Sequence, residues 1–139
     1  MKAFALNVIT VCLLALSVFS CKKDSPAIED QLIGKWKLTE KTSGNIPVVL
    51  TDCEKQNSIE FQANNFCLLF DSCSDATINS GWNYKYEMLN ISEHLPAAYY
   101  IVQLDATTLK IRRNDISADG SLLVTLLTYV KIGTVPGNI

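Results

Sequence analysis

Gly34-Lys35-Trp36-Lys37-Leu38-Thr39-Glu40 alternates large apolar side chains with polar ones. Trp36 and Leu38 stand two positions apart, and a polar side chain follows each of them. Successive side chains of a β-strand point to opposite faces of its sheet, so a period of two predicts a strand with one buried face. We therefore expect a fold built from strands of this kind, with Trp36 in the core.

The same period of two recurs along the rest of the chain. Polar turns separate the segments, and Asn64-Asn65 suits a tight turn because Asn tolerates the left-handed backbone conformation. Many short strands with almost no helix, apart from a helical turn at 28–33, predict an all-β sandwich or barrel. The predicted strands are 34–40, 58–62, 66–70, 81–86, 88–92, 98–104, 107–113 and 122–132, and the predicted loops are 41–56, with a short extended piece at 48–50, 71–80 and 114–120.

Residues 1–20 have the pattern of a secretory signal. Lys2 supplies an early positive charge, and residues 3–20 are almost free of charge and rich in apolar side chains. Three interpretations compete: an uncleaved membrane anchor, since such a helix needs roughly 20 apolar residues, a signal that is cut and leaves a free protein, and a lipoprotein signal cut before Cys21. Small Ser20 directly before Cys21 suits cleavage at that bond.

Val18-Phe19-Ser20-Cys21 resembles the lipobox of bacterial lipoproteins, and Lys22-Lys23-Asp24 resembles the residues that follow it in lipoproteins of the Bacteroidetes. The resemblance implies a lipidated Cys21 and attachment to a membrane of the cell envelope, with the outer membrane as the expected location. More than one lipid chain gives stable anchoring. The expected organisation is a signal peptide at 1–20, a lipidated Cys and polar tether at 21–30, and one β-domain at 31–139.

Composition excludes some function classes. The chain has a formal net charge of −2, with 12 Lys and Arg against 14 Asp and Glu. Nothing in such a chain is basic enough to suggest nucleic acid, and the Lys22-Lys23 and Arg112-Arg113 pairs are expected to be solvated surface. The single histidine, His94, lies in a polar connection, and no nucleophile–base pair, P-loop or HExxH motif is present. We expect no enzyme activity and no cofactor.

The five cysteines fall into distinct groups. Cys12 lies in the signal, and Cys21 takes the lipid. Cys53 and Cys73 lie in polar, turn-like surroundings, whereas Cys67 lies in an apolar run where a free cysteine behaves as a small hydrophobe. We predict a Cys53–Cys73 disulfide, which can persist in an exported protein. Zinc is the alternative, but the chain has no CxxC motif and only one histidine, so no metal is expected.

Gly34-Lys35-Trp36 resembles the Gly-x-Trp motif at which lipocalins begin their barrel. Further segments follow in the order of the lipocalin-like domain of Bacteroidetes lipoproteins, and the resemblance covers about residues 31–131. It implies an antiparallel eight-stranded up-and-down barrel or half-open calyx, with Gly34 and Trp36 in structural roles, and it supports the Cys53–Cys73 pair. The matching segments are 32–40, 52–55, 58–66, 81–84, 108–111 and 129–131.

Aromatic residues are the candidate ligand contacts. Trp82, Tyr84 and Tyr86 share one face of a predicted strand, and with Phe66 and Phe70 they could form the wall of an apolar site. The alternative is a packed core, because an eight-stranded barrel is just wide enough to be filled by side chains or to hold one small ligand.

Two functions therefore remain open for the predicted barrel. The first is a membrane-anchored, non-catalytic binding module for a small apolar or amphipathic molecule. The second is a structural or protein-interaction module with a filled core and a partner protein in the envelope. The carboxylates Glu54, Asp71 and Asp75 lie near the loop cysteines, but they lack the spacing of a calcium loop and are expected to be solvated.

Overall fold

The described residues fold as one short α-helix followed by nine strands, with a 3₁₀ turn at Glu54–Gln56. The structure is a computed structural model that describes residues 26–92 and 97–133; the signal peptide, Cys21, the start of the tether and His94 lie outside these ranges. Within them, no helix combines the length and the hydropathy that a membrane crossing requires. The elements are α1 (Ile28–Leu32), β1 (Gly34–Ser43), β2 (Ile46–Val48), β3 (Ser58–Phe61), β4 (Phe66–Asp71), β5 (Ala76–Lys85), β6 (Met88–Ile91), β7 (Ala97–Leu104), β8 (Thr108–Ile116) and β9 (Leu122–Ile132).

Eight of the strands form a closed antiparallel ring. The order is β1-β3-β4-β5-β6-β7-β8-β9, and β9 pairs back onto β1. In the closing pair Leu38 lies opposite Tyr129, which in turn lies opposite Leu109 of β8. On the same edge of β1, β3 pairs with residues 34–37 and the short strand β2 pairs with residues 41–43. The prediction of an all-β antiparallel barrel of eight strands is confirmed.

Three strands extend by three residues or more beyond one of the ends that the sequence predicts. β1 continues to Ser43 and turns at Gly44-Asn45, which has positive φ at both residues, into β2; the predicted loop 41–56 is therefore wrong at its start. β5 begins at Ala76, within the predicted loop 71–80, and β8 reaches Ile116. These extensions carry mainly polar side chains, because they lie at an open end of the barrel and need no regular apolar alternation.

A packed core fills the end of the barrel that α1 covers. Leu32 and Trp36 are completely buried, and the indole N–H of Trp36 donates to the carbonyl of Leu32 at 2.7 Å. Lys131 of β9 places its Nζ 4.8 Å from the centre of the Trp36 ring and donates to the carbonyl of Gln31. A Cβ on Gly34 would lie only 2.8 Å from Cε of Lys131, and Gly34 has φ +124°, so this position requires glycine.

Substitution of Trp36 tests this arrangement. Trp36→Phe removes the indole N–H and leaves the buried carbonyl of Leu32 without its donor. Together with the lost volume, we expect the free energy of unfolding to fall by about 2–4 kcal/mol. Urea denaturation followed by circular dichroism measures the change, with Tyr86→Phe as the control because the Tyr86 side chain is exposed. A loss below about 1 kcal/mol would contradict this account.

Candidate functional site

The inner face of the barrel changes from apolar to polar between its two ends. On β8, Leu109 and Ile111 point inward and are completely buried, and the same alternation brings Arg113 and Asp115 inward further along the strand. This end lies opposite α1, and we call it the mouth. We define the mouth half of the inner face by residues Lys41, Ser43, Leu69, Asp71, Ile78, Arg113, Asp115, Leu123, Thr125 and Leu127.

A β-bulge brings β1 into the mouth half. The register between β1 and β9 shifts between Leu38 and Glu40, so that Lys41 lies opposite Leu127 and Ser43 opposite Thr125. Directly opposed residues of an antiparallel pair share a face. Without the bulge, strict alternation from Trp36 and Leu38 would have placed Glu40 and Thr42 inside instead.

Burial follows the same division. The inner residues near α1 are almost inaccessible: Phe61, Cys67, Leu89 and Leu109 are at most 1% exposed. In the mouth half, every residue except Thr125 is only half-buried, including the apolar Leu69 and Leu127. Solvent therefore reaches apolar side chains inside the mouth half. The other end of the barrel is filled by packed side chains, and we call it the solid end.

Arg113 is the charged centre of the mouth half. Its Nε donates to Oδ2 of Asp115 at 2.8 Å, and both side chains are about one third exposed, at 36% and 35%. Desolvation lowers the pKa of Arg113, but the hydrogen bond to Asp115 and the neighbouring Tyr99 hydroxyl outweigh it, so the pKa is raised. Tyr129 lies in the same group. Burial and the neighbouring Tyr99 raise its pKa, and these effects outweigh the opposite effect of Arg113.

A disulfide joins two of the loops at the mouth. Cys53, in the β2–β3 loop, is bonded to Cys73, in the β4–β5 turn, as the sequence predicts. The β2–β3 loop also inserts the buried Leu50 into the core and brings Oε1 of Glu54 to 4.0 Å from Nζ of Lys41. The main-chain N–H of Ser72 donates to the side chain of Asn57 at 2.8 Å, which ties the same two segments together.

The loop carboxylates serve these turns. Asp71 accepts from the N–H of Cys73 and the hydroxyl of Ser74, and these bonds lower its pKa. Glu54 accepts from the N–H and hydroxyl of Thr51, which lowers its pKa as well. Asp75 has φ +50° in the β4–β5 turn. In the described part of the chain, no three potential metal-ligating side chains come together.

Two of the predicted aromatic contacts lie inside the barrel. Trp82 is buried, donates its indole N–H to the carbonyl of Gln62 at 3.2 Å and packs edge-on against Phe61, so it belongs to the solid end. Tyr84 shares its face and is half-buried, at the end of β5 nearest α1. Trp82 therefore acts as core, and Tyr84 is the aromatic side chain of the pair that keeps some solvent contact.

The other three predicted contacts do not face the interior. Tyr86 lies in the β5–β6 turn with φ +53° and is 90% exposed, so the prediction that it shares the face of Trp82 is wrong. Phe66 and Phe70 alternate with the inward Cys67 and Leu69 on β4, which places both on the outer face. The expectation that they line an interior site is wrong for that reason.

An open cleft of about 420 Å³ lies between the β5–β6 turn and the bulge of β7. Its lining mixes apolar and charged side chains, and Arg112 stacks on Tyr100 there, with its guanidinium carbon 5.0 Å from the ring centre. The cleft is at the surface and is separate from the mouth half. Its lining residues are Tyr84, Glu87, Tyr100, Ile101, Val102 and Arg112.

Cys67 has no chemical role that the structure supports. It is the free cysteine of the described residues, lies on the inner face of β4 and is completely buried. Burial raises the pKa of its thiol to about 11. At neutral pH it is therefore a protonated, apolar side chain that packs in the core.

Comparison with known proteins agrees with this architecture. A family model described as a lipocalin-like domain matches residues 32–111, which is more than half of the 139-residue chain. The chain belongs to the lipocalin-like domain family. The matched segment runs from the end of α1 into β8 and includes both Trp36 and the Cys53–Cys73 pair. Among curated proteins, none matches the chain.

Solved structures with the same architecture are distant in sequence. Bovine odorant binding protein in complex with a selenium-containing odorant aligns with a TM-score of 0.50 and 11% identity, over 81% of this chain and 78% of that chain. The same protein with its natural ligand aligns with a TM-score of 0.49 and 11% identity, over 83% and 80% of the two chains. Aphrodisin, a sex pheromone from the female hamster, aligns with a TM-score of 0.47 and 9% identity, over 76% and 78%. The first of these likenesses shows the fold.

Sequence reasoning missed the polar residues of the mouth half. The seventh predicted strand ends at Arg113, although the alternation Leu109, Ile111, Arg113, Asp115 continues without a break. That alternation was the signal that could have placed both charged residues inside the barrel. For Lys41 no such signal exists, because its inward position depends on the bulge in β1.

Removal of the disulfide tests how the mouth loops are held. The bond closes a loop with a sequence separation of 20 residues, and its reduction is expected to lower the free energy of unfolding by about 3 kcal/mol in the chain-entropy model. Urea denaturation with and without dithiothreitol measures this difference. The control is Cys53→Ser/Cys73→Ser, whose stability should not respond to the reductant. An equal response of both proteins would contradict the assignment of the effect to this bond.

Proposed function

We propose that the protein is a non-catalytic binding module that holds a small amphipathic molecule in the mouth half of its barrel. Ligand sites in proteins are mostly apolar concavities with a few placed polar groups. The mouth half has this character, since Leu69, Leu123 and Leu127 share it with Arg113 and Asp115. A barrel of eight strands is wide enough for one small ligand.

The observation that carries this proposal is the difference in burial along one continuous inner face. Near α1 the interior is closed by side chains that are almost fully buried, such as Trp36 and Phe61. In the mouth half, Leu69 and Leu127 point inward but remain half-buried. Apolar side chains that remain in contact with solvent inside a barrel favour the binding of an apolar group there, because burial of apolar surface is favourable.

The fold gives further support of a general kind. Bovine odorant binding protein, which shares the fold at 11% identity, has been solved in complex with an odorant. Fold does not by itself determine function. The proposal therefore depends on the inner face of this chain, and the likeness adds only that a barrel of this kind is compatible with a small ligand.

The anchor is part of the proposal. The lipobox-like stretch before Cys21 and the lysines after it support a lipoprotein of the cell envelope, with the outer membrane as the expected location. The residues between Cys21 and Pro26 span at most about 18 Å when fully extended. Since α1 follows directly and covers the closed end, a lipid on Cys21 would hold that end near the membrane and leave the mouth facing away.

A second candidate is a protein-interaction module. Exposed apolar or aromatic side chains line the 420 Å³ cleft at the β7 bulge, where Val102 is 53% exposed and Tyr100 39%, and Tyr86 in the adjoining β5–β6 turn is 90% exposed. Exposed apolar patches often mark interaction sites. This candidate predicts that the barrel carries no small molecule, and the next experiment separates the two.

Native mass spectrometry of the full chain, purified from its source membrane, tests the binding module. We expect the protein without substitutions to carry the additional mass of a small, non-covalently bound molecule. Leu127→Trp should abolish it, because the larger side chain fills the mouth half. Leu126→Trp is the matched control, since Leu126 lies on the outer face of β9 and should leave the bound mass unchanged. Absence of any bound molecule on the unmodified protein would favour the interaction module.

The anchor has its own test. Cys21→Ser removes the sulfur that would carry the lipid, so the N-terminal lipid mass and the partition into a detergent phase should both be lost. Cys12→Ser is the control, because Cys12 lies in the proposed signal and should leave both properties unchanged. A Cys21→Ser protein that keeps its lipid mass would overturn the assignment.

A further inference from the structure

The charged pair in the mouth half is unusual for its position. β8 continues past its last pair with β7, Tyr100–Arg112, while it stays paired with β9 as far as Ile116. Arg113 and Asp115 lie on this extension and face inward, on the same face as the buried Leu109 and Ile111. A structural ion pair does not need this location, since the outer face of the same strand is exposed to solvent.

The surroundings of Arg113 leave part of its hydrogen-bonding capacity for another group. A guanidinium has five N–H donors in a planar fork. Asp115 accepts from Nε at 2.8 Å, and the Tyr99 hydroxyl lies close to the side chain. One carboxylate oxygen and one phenol oxygen cannot engage all five donors. None of the remaining donors is buried without a partner, so they contact the solvent of the mouth half, where a ligand can take the place of water.

We propose that Arg113 binds the carboxylate of an amphipathic ligand whose apolar part lies along the inner face toward Leu127. A carboxylate matches the planar fork of arginine in a bidentate manner. A single negative charge also suits the site better than a phosphate dianion, because the carboxylates at the mouth, Asp115, Glu54 and Asp71, outnumber the cations Arg113 and Lys41. This inference rests on the proposed function and specifies its ligand class.

The apolar part has a defined path from this subsite. Arg113 lies opposite Thr125 and Ile111 lies opposite Leu127, so the next inward pair beyond the guanidinium is apolar. Leu127 is half-buried, whereas Ile111 is completely buried. A short alkyl chain whose carboxylate is bound at Arg113 would therefore cover the solvent-exposed side of Leu127 before it reaches the solid end of the barrel.

Calorimetric titration of the full chain in lipid nanodiscs tests the subsite, with octanoate and its neutral counterpart octanamide as probes and empty nanodiscs as the blank. We expect octanoate to bind the unmodified protein at least about tenfold more tightly than octanamide. Arg113→Gln should abolish this preference without weakening octanamide. Arg112→Gln is the matched control, because Arg112 lies on the outer face of the same strand and its loss should keep the preference.

A second variant acts in the opposite direction and does not depend on the folding of the first. Asp115→Asn removes the internal carboxylate that competes for Arg113, so octanoate should bind more tightly, by about three- to tenfold, while octanamide is unchanged. Equal affinity for both probes in the unmodified protein would overturn the carboxylate subsite and leave the binding module intact. Failure of both probes to bind, together with no bound mass in the native spectrum, would overturn the proposed function itself.

Discussion

The hydrogen bond from the Trp36 indole to the Leu32 carbonyl is the contact on which the rest of the barrel depends. It joins α1 to β1 at a completely buried position, and Lys131 adds β9 by placing its ammonium over the same ring. β1 and β9 are the first and last strands of the ring, so this contact lies at the seam where the barrel closes. Every strand of the ring pairs with a neighbour on both sides, although β8 continues beyond its last pair with β7.

Closure at one end decides what the other end can do. Since α1 and the Trp36 side chain cover one opening, the mouth is the open end of the barrel in the part of the chain that the structure describes. The β2–β3 loop borders that mouth and is held to the β4–β5 turn by the Cys53–Cys73 bond. The disulfide therefore acts on the shape of the entrance more than on the core, which is packed by side chains from every strand of the ring.

The inner face combines two properties that rarely occur together in a packed core. Its apolar residues become less buried toward the mouth, and two of its charged residues, Arg113 and Asp115, are paired with each other. An ion pair that is only partly desolvated contributes little to stability. Its position inside the barrel is more readily explained by recognition of a polar group than by stabilisation of the fold, which is the basis of the proposed carboxylate subsite.

The sequence by itself indicated most of the strands, because the period of two and the polar turns are local features. The barrel, as opposed to a sandwich, came from the resemblance carried by the Gly-x-Trp motif and the segments after it, and the disulfide from the polar surroundings of Cys53 and Cys73 together with that resemblance. The inward place of Arg113 was readable from the alternation within the predicted strand, and that of Asp115 would have been readable had the strand been continued. Only the tertiary structure decided that Lys41 points inward, since the register shift after Leu38 depends on pairing with β9. The tertiary structure also decided that Tyr86, Phe66 and Phe70 lie outside the barrel. Tyr86 lies in a turn, and the packing of β4 against the core turns Cys67 and Leu69 inward and the two phenylalanines outward. A local pattern indicates that two faces differ, but only packing determines which of them is the interior.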